Sequence, residues 1–472
     1  MPPIRKAKAA LSIRFVIVGG GMAGLACAYT LSEAGHDVLV LEQSDGKFRS
    51  DGGIRSPPNM TRLLYEWGLG PALDEKAVKA DGISFLFGST GEKVGMLKFH
   101  PQIMSGLRAD FLFVEHGDIY QLLLDLAVGA GATIKFDSKV VGVDPLGLVK
   151  IDTGEEFSGD IIIGADGSHS FVREVVLGQE VQQKAGHFFS MNLTILTEEM
   201  EKDEELRTLL TNSDLSMWMG DGYAVYGYPI HGRQEYAIIM IWPSGTELVP
   251  DHWYDQHSVD EARWDFKGLE PRLVKLIKLA KRLTPTRDTV FEPYDHWVHD
   301  GGRVVLIGDA AHPLLPSGSH HNAMAIEDAA VLGNLFSRLS CIKQSPRLLT
   351  AYEELRQPRC SMVRESEYRK REFVVLPAGP EQTLRDTSLR DAASRAALVD
   401  VDQVSEVDEE YLRGEWEEYL KLFDYCARDA AEDWWTKWGG LVLRSKEFVE
   451  RWTAKVEVFV TSISGSQVLV QG

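Results

Sequence analysis

At 472 residues the chain exceeds what one hydrophobic core ordinarily serves, so two or three domains are expected. Its 44% apolar and 25% charged residues exclude a disordered chain, because that much apolar surface can offset the entropy of ordering. A formal net charge of -20 and a pI near 5.1 exclude a phosphate-backbone partner, which needs clustered lysine and arginine. No nucleic acid is therefore expected to bind.

The basic N-terminal stretch MPPIRKAKAALSI runs into Phe15 to Val18 and then a glycine cluster, with no small-residue cleavage site, so no secretory leader is expected. The longest apolar runs are strand-sized, short of the roughly 18 to 20 residues of a membrane helix, and no membrane span is expected. Cys27, Cys341, Cys360 and Cys426 stand far apart without CxxC or metal-type spacing. That argues against a disulfide framework, against a metal site, and for a reducing, cytoplasmic setting.

In chain order, RFVIV, GGGMAG, LACAYTLSEAGH and DVLVLE read as strand, glycine turn, helix and strand, with Met22, Leu25, Ala28 and Leu31 on one helical face. Asn59 is placed to cap a helix carrying Met60, Leu63, Leu64 and Trp67. A second helix is expected to start at Asp118, with Gln121 at the capping-box position. Strand-like ATIKF, KVVGV and LVKI follow, then GDIIIGADG. From about 181 to 290 the pattern turns to aromatic and Met-rich strands: AVYGYPI and EYAIIMIWP flank the turn residues His231 to Gln234 and predict a hairpin. Alternation puts Tyr226, Tyr228 and Ile230 on one face of the first strand, and Tyr236, Ile238, Met240 and Trp242 on one face of the second. That leaves two readings of the sheet, plain packing against helices or part of a substrate pocket. RVVLIGDAAHP resumes the nucleotide-type pattern before a helix from about Asn322. Beyond 345 the chain reads as helical, with thirteen acidic against three basic residues between Asp400 and Asp433, a composition that predicts a solvated face.

The spacing of Gly19, Gly21 and Gly24 between a strand and a helix lets backbone approach a pyrophosphate at the helix N-terminus, and Glu42 closes the next strand where a ribose diol would lie. These residues predict dinucleotide binding without saying which dinucleotide. Two later segments narrow it: Asp166-Gly167 followed by Ser170, Val172 and Arg173, and Gly308-Asp309 followed by His312, Pro313 and Pro316. In this order, over roughly residues 12 to 360, the three motifs resemble the single-component flavoprotein aromatic hydroxylases, the class A monooxygenases that include salicylate and 6-hydroxynicotinate hydroxylases and fungal biosynthetic enzymes.

The resemblance implies an α/β fold (α+β overall): a Rossmann-like FAD-binding domain with an inserted mixed β-sheet substrate domain and a helical C-terminal region. The expected boundaries are 1–80, 105–180 and 291–345 for the FAD-binding part, 81–104 and 181–290 for the substrate part, and 346–472 for the C-terminal region. It further implies that Gly19, Gly21, Gly24 and Glu42 hold the ADP half of FAD, that Gly52 and Gly53 pass close to the cofactor, and that Asp309 binds the ribityl chain. Asp166 supports FAD and NADH or NADPH binding in the family, or is chiefly structural; both readings stand. Pro316 precedes the turn beneath the flavin, and Asn322 opens the helix aimed at its pyrimidine edge, whose dipole favours the anionic reduced ring. The reductant would bind transiently. A C4a-hydroperoxyflavin would give its oxygen to an electron-rich ring, with a small aromatic molecule and O2 as partners and a monomer or homodimer as the assembly.

Two departures stand out. His116 occupies the position where relatives usually carry arginine, and the Gly-Gln-Gly-like turn reads Ser317-Gly318-Ser319-His320-His321-Asn322. The paired histidines are either solvated loop residues or groups that touch the flavin or move a substrate proton. Candidates for substrate activation are His320, His321, Tyr226 and Tyr228, the last in the Tyr-Pro dipeptide of the substrate strand. Hydroxylation, with decarboxylation where a carboxylate occupies the attacked carbon, is the leading reaction. Epoxidation or dearomatisation of a terpenoid or polyketide, a degenerate flavoprotein scaffold, and an NAD-dependent dehydrogenase are the alternatives.

Overall fold

The computed structural model describes residues 7–47, 52–181, 184–244, 257–258, 268–396 and 416–442. The acidic stretch before 416 and the tail KVEVFVTSISGSQVLVQG lie outside the described residues. The apolar runs RFVIV, DVLVL and IIIG are too continuous for a half-exposed sheet, and they form the centre of a five-stranded parallel sheet in the order Val304–Leu306, Ile161–Gly164, Arg14–Val18, Asp37–Leu41, Thr133–Lys135. Such a sheet must be covered on its faces. Helix Met22–Glu33 provides one cover and packs against helix His321–Phe336. The two helices meet through small residues: a Cβ on Gly333 would lie 2.5 Å from the Thr30 Cβ and 3.2 Å from the Thr30 carbonyl carbon. The Thr30 hydroxyl donates to the Ala329 carbonyl at 2.8 Å.

The second layer is an eight-stranded sheet in the order His257–Ser258, Arg282–Val290, Lys184–Leu196, Glu235–Pro243, Ala224–Ile230, Asp214–Met219, Gly82–Phe87, Lys93–Lys98. It is mixed, since Asp214–Met219 pairs parallel with Gly82–Phe87 while the other pairs run antiparallel. The predicted hairpin forms, with Tyr226 opposite Ile239 and Tyr228 opposite Ala237. Its two aromatic sets lie on opposite faces. Tyr226, Tyr228 and Ile230 join the core shared with the parallel sheet, whereas Tyr236, Ile238 and Met240 pack with Leu273, Leu276 and Ile277 of helix Pro271–Leu279. The question of which face borders a pocket is thereby reduced to the Tyr226 side.

Two helix starts differ from the sequence expectation. Helix Pro58–Glu66 begins with proline at its first position, and the Asn59 side chain, instead of capping it, donates to Glu327 at 2.8 Å. Helix His116–Gly129 starts two residues before Asp118, capped by Glu115, which accepts from the Asp118 amide at 2.7 Å; Gln121 donates to Asp125. The first helix starts at Pro58, which puts Asn59 inside the first turn with its amide nitrogen on Glu327; at the second, Glu115 takes the Asp118 amide. The C-terminal region contributes helix Ser345–Val374, 30 residues or about 45 Å at 1.5 Å per residue, and the helical stretches 416–423 and 427–442. Among the described residues no helix is long and apolar enough to cross a membrane.

Gly333→Ala should lower stability. Overpacking costs about 1–3 kcal/mol, and the backbone contact to Thr30 puts this site high in that range, above the roughly 0.8–1 kcal/mol that alanine gains in helix propensity. An unchanged urea midpoint would refute the close helix contact.

Candidate cofactor and substrate site

Gly19 adopts φ +104°, and a Cβ there would lie 2.4 Å from the Ala165 carbonyl oxygen; at Gly24 it would lie 2.0 Å from the Gly19 oxygen. Only glycine permits this turn. A Cβ on Gly21 would meet nothing within 4 Å, and no side chain caps the helix it precedes. An open, uncapped helix N-terminus is the cradle an anionic pyrophosphate fits. Glu42 stands at its rim, accepting from the Gly20 amide at 2.6 Å and the Ser44 amide at 2.8 Å.

The two later motifs meet through Arg173, which donates to the carbonyls of Ser168 at 2.8 Å, Ala310 at 2.8 Å and Asp309 at 2.6 Å. Asp166 spends its carboxylate inside the chain, on the Ser170 hydroxyl at 2.6 Å and the Val172 amide at 3.0 Å, where it secures the start of helix Phe171–Leu177. The structural reading of this residue has direct contacts behind it. Asp309 pairs with His321, 3.1 Å between Oδ2 and Nε2. Burial opposes ionisation of Asp309, but His321, His312 and Arg173 outweigh it and hold its pKa below the usual carboxylate range. The same pair raises the pKa of His321 against burial. His116 lies close enough to feel it: burial, then the His321 charge, push the His116 pKa down to about 3, so His116 is a neutral donor or acceptor. These residues fit the polar ribityl and pyrophosphate portions of a dinucleotide; Asn322 is half-buried in the first helical turn and Pro316 half-buried in the preceding loop.

Gly52 adopts φ +117°, and its amide donates to Thr194 at 3.0 Å. At Gly53 a Cβ would lie 2.7 Å from the Tyr228 ring, so this glycine makes room for Tyr228. Tyr228 is fully buried, its hydroxyl donates to the Gly53 carbonyl at 2.7 Å, and its ring packs on Phe113 at 4.7 Å. It does not line the cavity described next, in contrast to the sequence expectation. The Tyr-Pro dipeptide signals the strand, and alternation alone does not show which buried hydroxyl is already satisfied.

A cavity of about 380 Å³ opens between the mixed sheet, the 315–320 loop and the C-terminal helices. Ile83, Phe85, Leu215 and Met217 give it an apolar wall, with Tyr226 beside them. Burial pushes the Tyr226 phenol up to about 12, so it stays neutral. Arg55 lies over the Tyr226 ring at 5.0 Å and donates to the Ser317 carbonyl. His320 is fully buried on the same cavity wall: its Nδ1 donates to Glu367 at 2.8 Å, its ring stacks on Phe423 at 5.7 Å, and its Nε2 is buried with no hydrogen-bond partner among the described residues. Glu367 also accepts from the Ser319 amide at 3.2 Å. Burial opposes the Glu367 charge, but His320, Lys370 and Arg55 hold its pKa down to about 2, while burial lowers the His320 pKa. The pair is a carboxylate and a neutral imidazole whose Nδ1 carries the proton.

His320, His321 and Tyr226 are thus at or beside the cavity and the Asp309 turn. Arg55, Glu367, Lys370, Tyr419 and Phe423 were not anticipated. The signal for Glu367 and Lys370 was present but not singled out: Arg356, Arg359, Val363, Glu367, Lys370 and Val374 recur at helical spacing. Glu418, an exposed member of the acidic stretch, also borders the cavity, and the half-buried Glu432 pairs with Arg338. His312, Asp328 and Cys360 offer ligand atoms within 4.8 Å of one another, but Asp328 is already engaged by Arg356 at 2.7 Å, His312 at 2.6 Å and the Gly308 amide at 2.8 Å.

Residues 13–366 match a family model described as an FAD binding domain. The chain is 30% identical over 394 residues to the FAD-dependent monooxygenase atnJ of an Arthrinium species, covering 82% of this chain and 91% of that protein. It is 30% identical over 389 residues to the 3-amino-4-hydroxybenzoate 2-monooxygenase PtmB3 of Streptomyces platensis, covering 80% and 92%. The crystal structure of FqzB superposes with a TM-score of 0.70 at 23% identity, covering 94% of this chain and 96% of that one. Together with the glycine cradle and the Asp309 turn, these findings set aside the NAD-dependent dehydrogenase alternative: the chain belongs to the FAD binding domain family and is an FAD-dependent monooxygenase, in a family whose reductant is NADH or NADPH.

Proposed function

We propose that the enzyme hydroxylates a small phenolic substrate held in the cavity, and that His320 takes the substrate's phenol proton. The observation that carries this reading is the Glu367–His320 pair on the cavity wall, with Nε2 lacking a partner among the described residues. FAD, once reduced by NADH or NADPH, supplies the activation of O2 and the electrophilic oxygen. Gly19, Gly21, Gly24, Glu42, His116 and Asp309 would hold it. The chain's own residues then have separate tasks. Glu367 is a positioning residue: it keeps the proton on Nδ1 and leaves the Nε2 lone pair to accept. The phenol gives its proton to Nε2, and the resulting phenolate ring is a better nucleophile toward oxygen. A positioned base of this kind is worth roughly 10² to 10⁴ in rate. Tyr226, neutral and beneath Arg55, orients the ring, and the apolar sheet wall excludes water. Tyr228 supports the Gly53 backbone rather than the chemistry. The sheet order supports grouping 81–104 with 181–290 as the substrate half, and 1–80, 105–180 and 291–345 as the FAD half. Free cysteines at the four described positions support a cytoplasmic enzyme, acting as a monomer or homodimer.

The purified protein should be yellow and release FAD on denaturation, and Asp309→Ala should lose most of that FAD; a variant with wild-type FAD content would remove Asp309 from the cofactor site. His320→Gln, which installs the side chain common in relatives, should keep FAD yet slow product formation by roughly 10²-fold or more. The loss should be largest for phenols of high pKa and small for already ionised nitrophenols, a dependence that a purely structural role would not produce. Because burial lowers the His320 pKa, wild-type turnover should hold through neutral pH and fall only below the ordinary histidine range, as Nε2 becomes protonated. Tyr228→Phe should cost about 1 kcal/mol of stability and leave turnover within a few-fold of wild type; a large kcat loss at full FAD content would return Tyr228 to the chemistry.

A further inference from the structure

We propose that the substrate carries an anionic group, a carboxylate on its aromatic framework, and that Lys370 binds this group beside the Tyr419 ring in a subsite built beyond the family-matched stretch. The proposal deepens, and rests on, the reading of the cavity as the substrate site. The family match ends at residue 366, yet Lys370, Tyr419 and Phe423 line the cavity. A chain of net charge -20 here presents four cations, Arg55, Arg369, Lys370 and Arg371, against two carboxylates, Glu367 and Glu418.

The pairings decide which cation is available. Arg371 is taken by Asp288, and Arg369 by Glu418 at 3.3 Å. Arg55 is held in place by the Ser317 carbonyl and the Tyr226 face, and Glu367 is bonded to His320. Lys370 is half-buried and, among the described residues, has neither a hydrogen-bond acceptor nor an ion-pair partner; its ammonium sits 4.8 Å from the centre of the Tyr419 ring. A ring face stabilises a cation only in part, and Glu367 and Glu418 act on this ammonium through space without a hydrogen bond to it, so its donors remain unmet away from water. A substrate carboxylate supplies the missing charge and a charge-assisted hydrogen bond. The enclosed wall also concentrates that positive potential where the chain as a whole repels anions. Aromatic Phe85, Phe111 and Phe423 complete a slot suited to the ring that bears the carboxylate.

The test uses the full-length FAD-loaded protein and matched pairs of hydroxybenzoic and hydroxycinnamic acids with their methyl esters, reading binding from the perturbation of flavin absorbance. At least one acid should bind ten-fold or more tightly than its ester. Lys370→Met should abolish that preference at unchanged FAD content and melting temperature, and Lys370→Arg should retain most of it. Absence of binding by every acid, equal binding of acids and esters, or a preference that survives in Lys370→Met each overturns the proposal. If acids bind through Lys370 but stimulate no hydroxylated product, the hydroxylation reading falls and the anion subsite stands. If esters are hydroxylated as well as acids, the reverse holds.

Discussion

The structure turns on a buried ion cluster at the junction of two helices. Glu327 and Asp328, adjacent on helix His321–Phe336, face Arg356 and Arg359 of helix Ser345–Val374, with Arg356 2.7 Å from both carboxylates and Arg359 3.0 Å from Glu327. Their side chains are essentially inaccessible to water, so each charge needs the others: removing one partner of such a pair strands a buried ion at a cost of about 3–5 kcal/mol, although the pair itself contributes little net stability. Its value is positional. Asp328 also accepts from the Gly308 amide and His312, which fixes the turn presenting Asp309. Glu327 accepts from Asn59, tying in the helix that directly follows the strand carrying Arg55. Arg359 donates to the Leu422 carbonyl at 2.8 Å, holding the segment that carries Tyr419 and Phe423. One cluster thus sets the cofactor turn, the arginine over Tyr226 and the outer cavity wall.

The long helix transmits that placement. Because residues three and four apart share a helical face, the stripe bearing Arg356 and Arg359 continues to Val363, Glu367 and Lys370. The helix, anchored by ion pairs near its middle, therefore delivers a carboxylate to His320 and an ammonium to the cavity from its C-terminal half. The proposed proton handling and charge recognition would share one element, separated by three residues and hence by less than one turn.

What could be read from sequence follows from how local the physics is. The parallel sheet, the glycine turn, Glu42 and the Asp309 turn were legible because backbone approach and sheet burial leave signatures within a few residues. The hairpin was legible too, but not which of its tyrosines was free, since the Tyr228 hydroxyl is satisfied by Gly53, 175 positions away. The Asn59 expectation failed for the same reason: its side chain is claimed by Glu327, 268 positions distant. The charged stripe of the long helix was hidden by a sound rule applied where it does not hold, for charged residues in a helix ordinarily face water unless partners on another element neutralise them.

The two histidines that depart from the family turn make sense only with the C-terminal segment in place. A histidine at 320 brings a ring and two nitrogens into a loop where the family resemblance implies an amide, and both must be accommodated in a dry wall. Glu367 takes one nitrogen, and Phe423 covers the ring face. Phe423 lies outside the family-matched stretch and Glu367 one residue past its end. The segment that supplies Phe423 is docked by Arg62 on the Tyr425 carbonyl at 2.8 Å as well as by Arg359, and Trp416 buries itself among Phe99, Tyr419 and Phe423. The loop and the C-terminal helices therefore form one unit: the helices remove water from the imidazole, which keeps it neutral, and the carboxylate orients it. A histidine in this loop without them would be a solvated side chain of ordinary pKa, with no fixed tautomer and no defined direction in which to accept a proton.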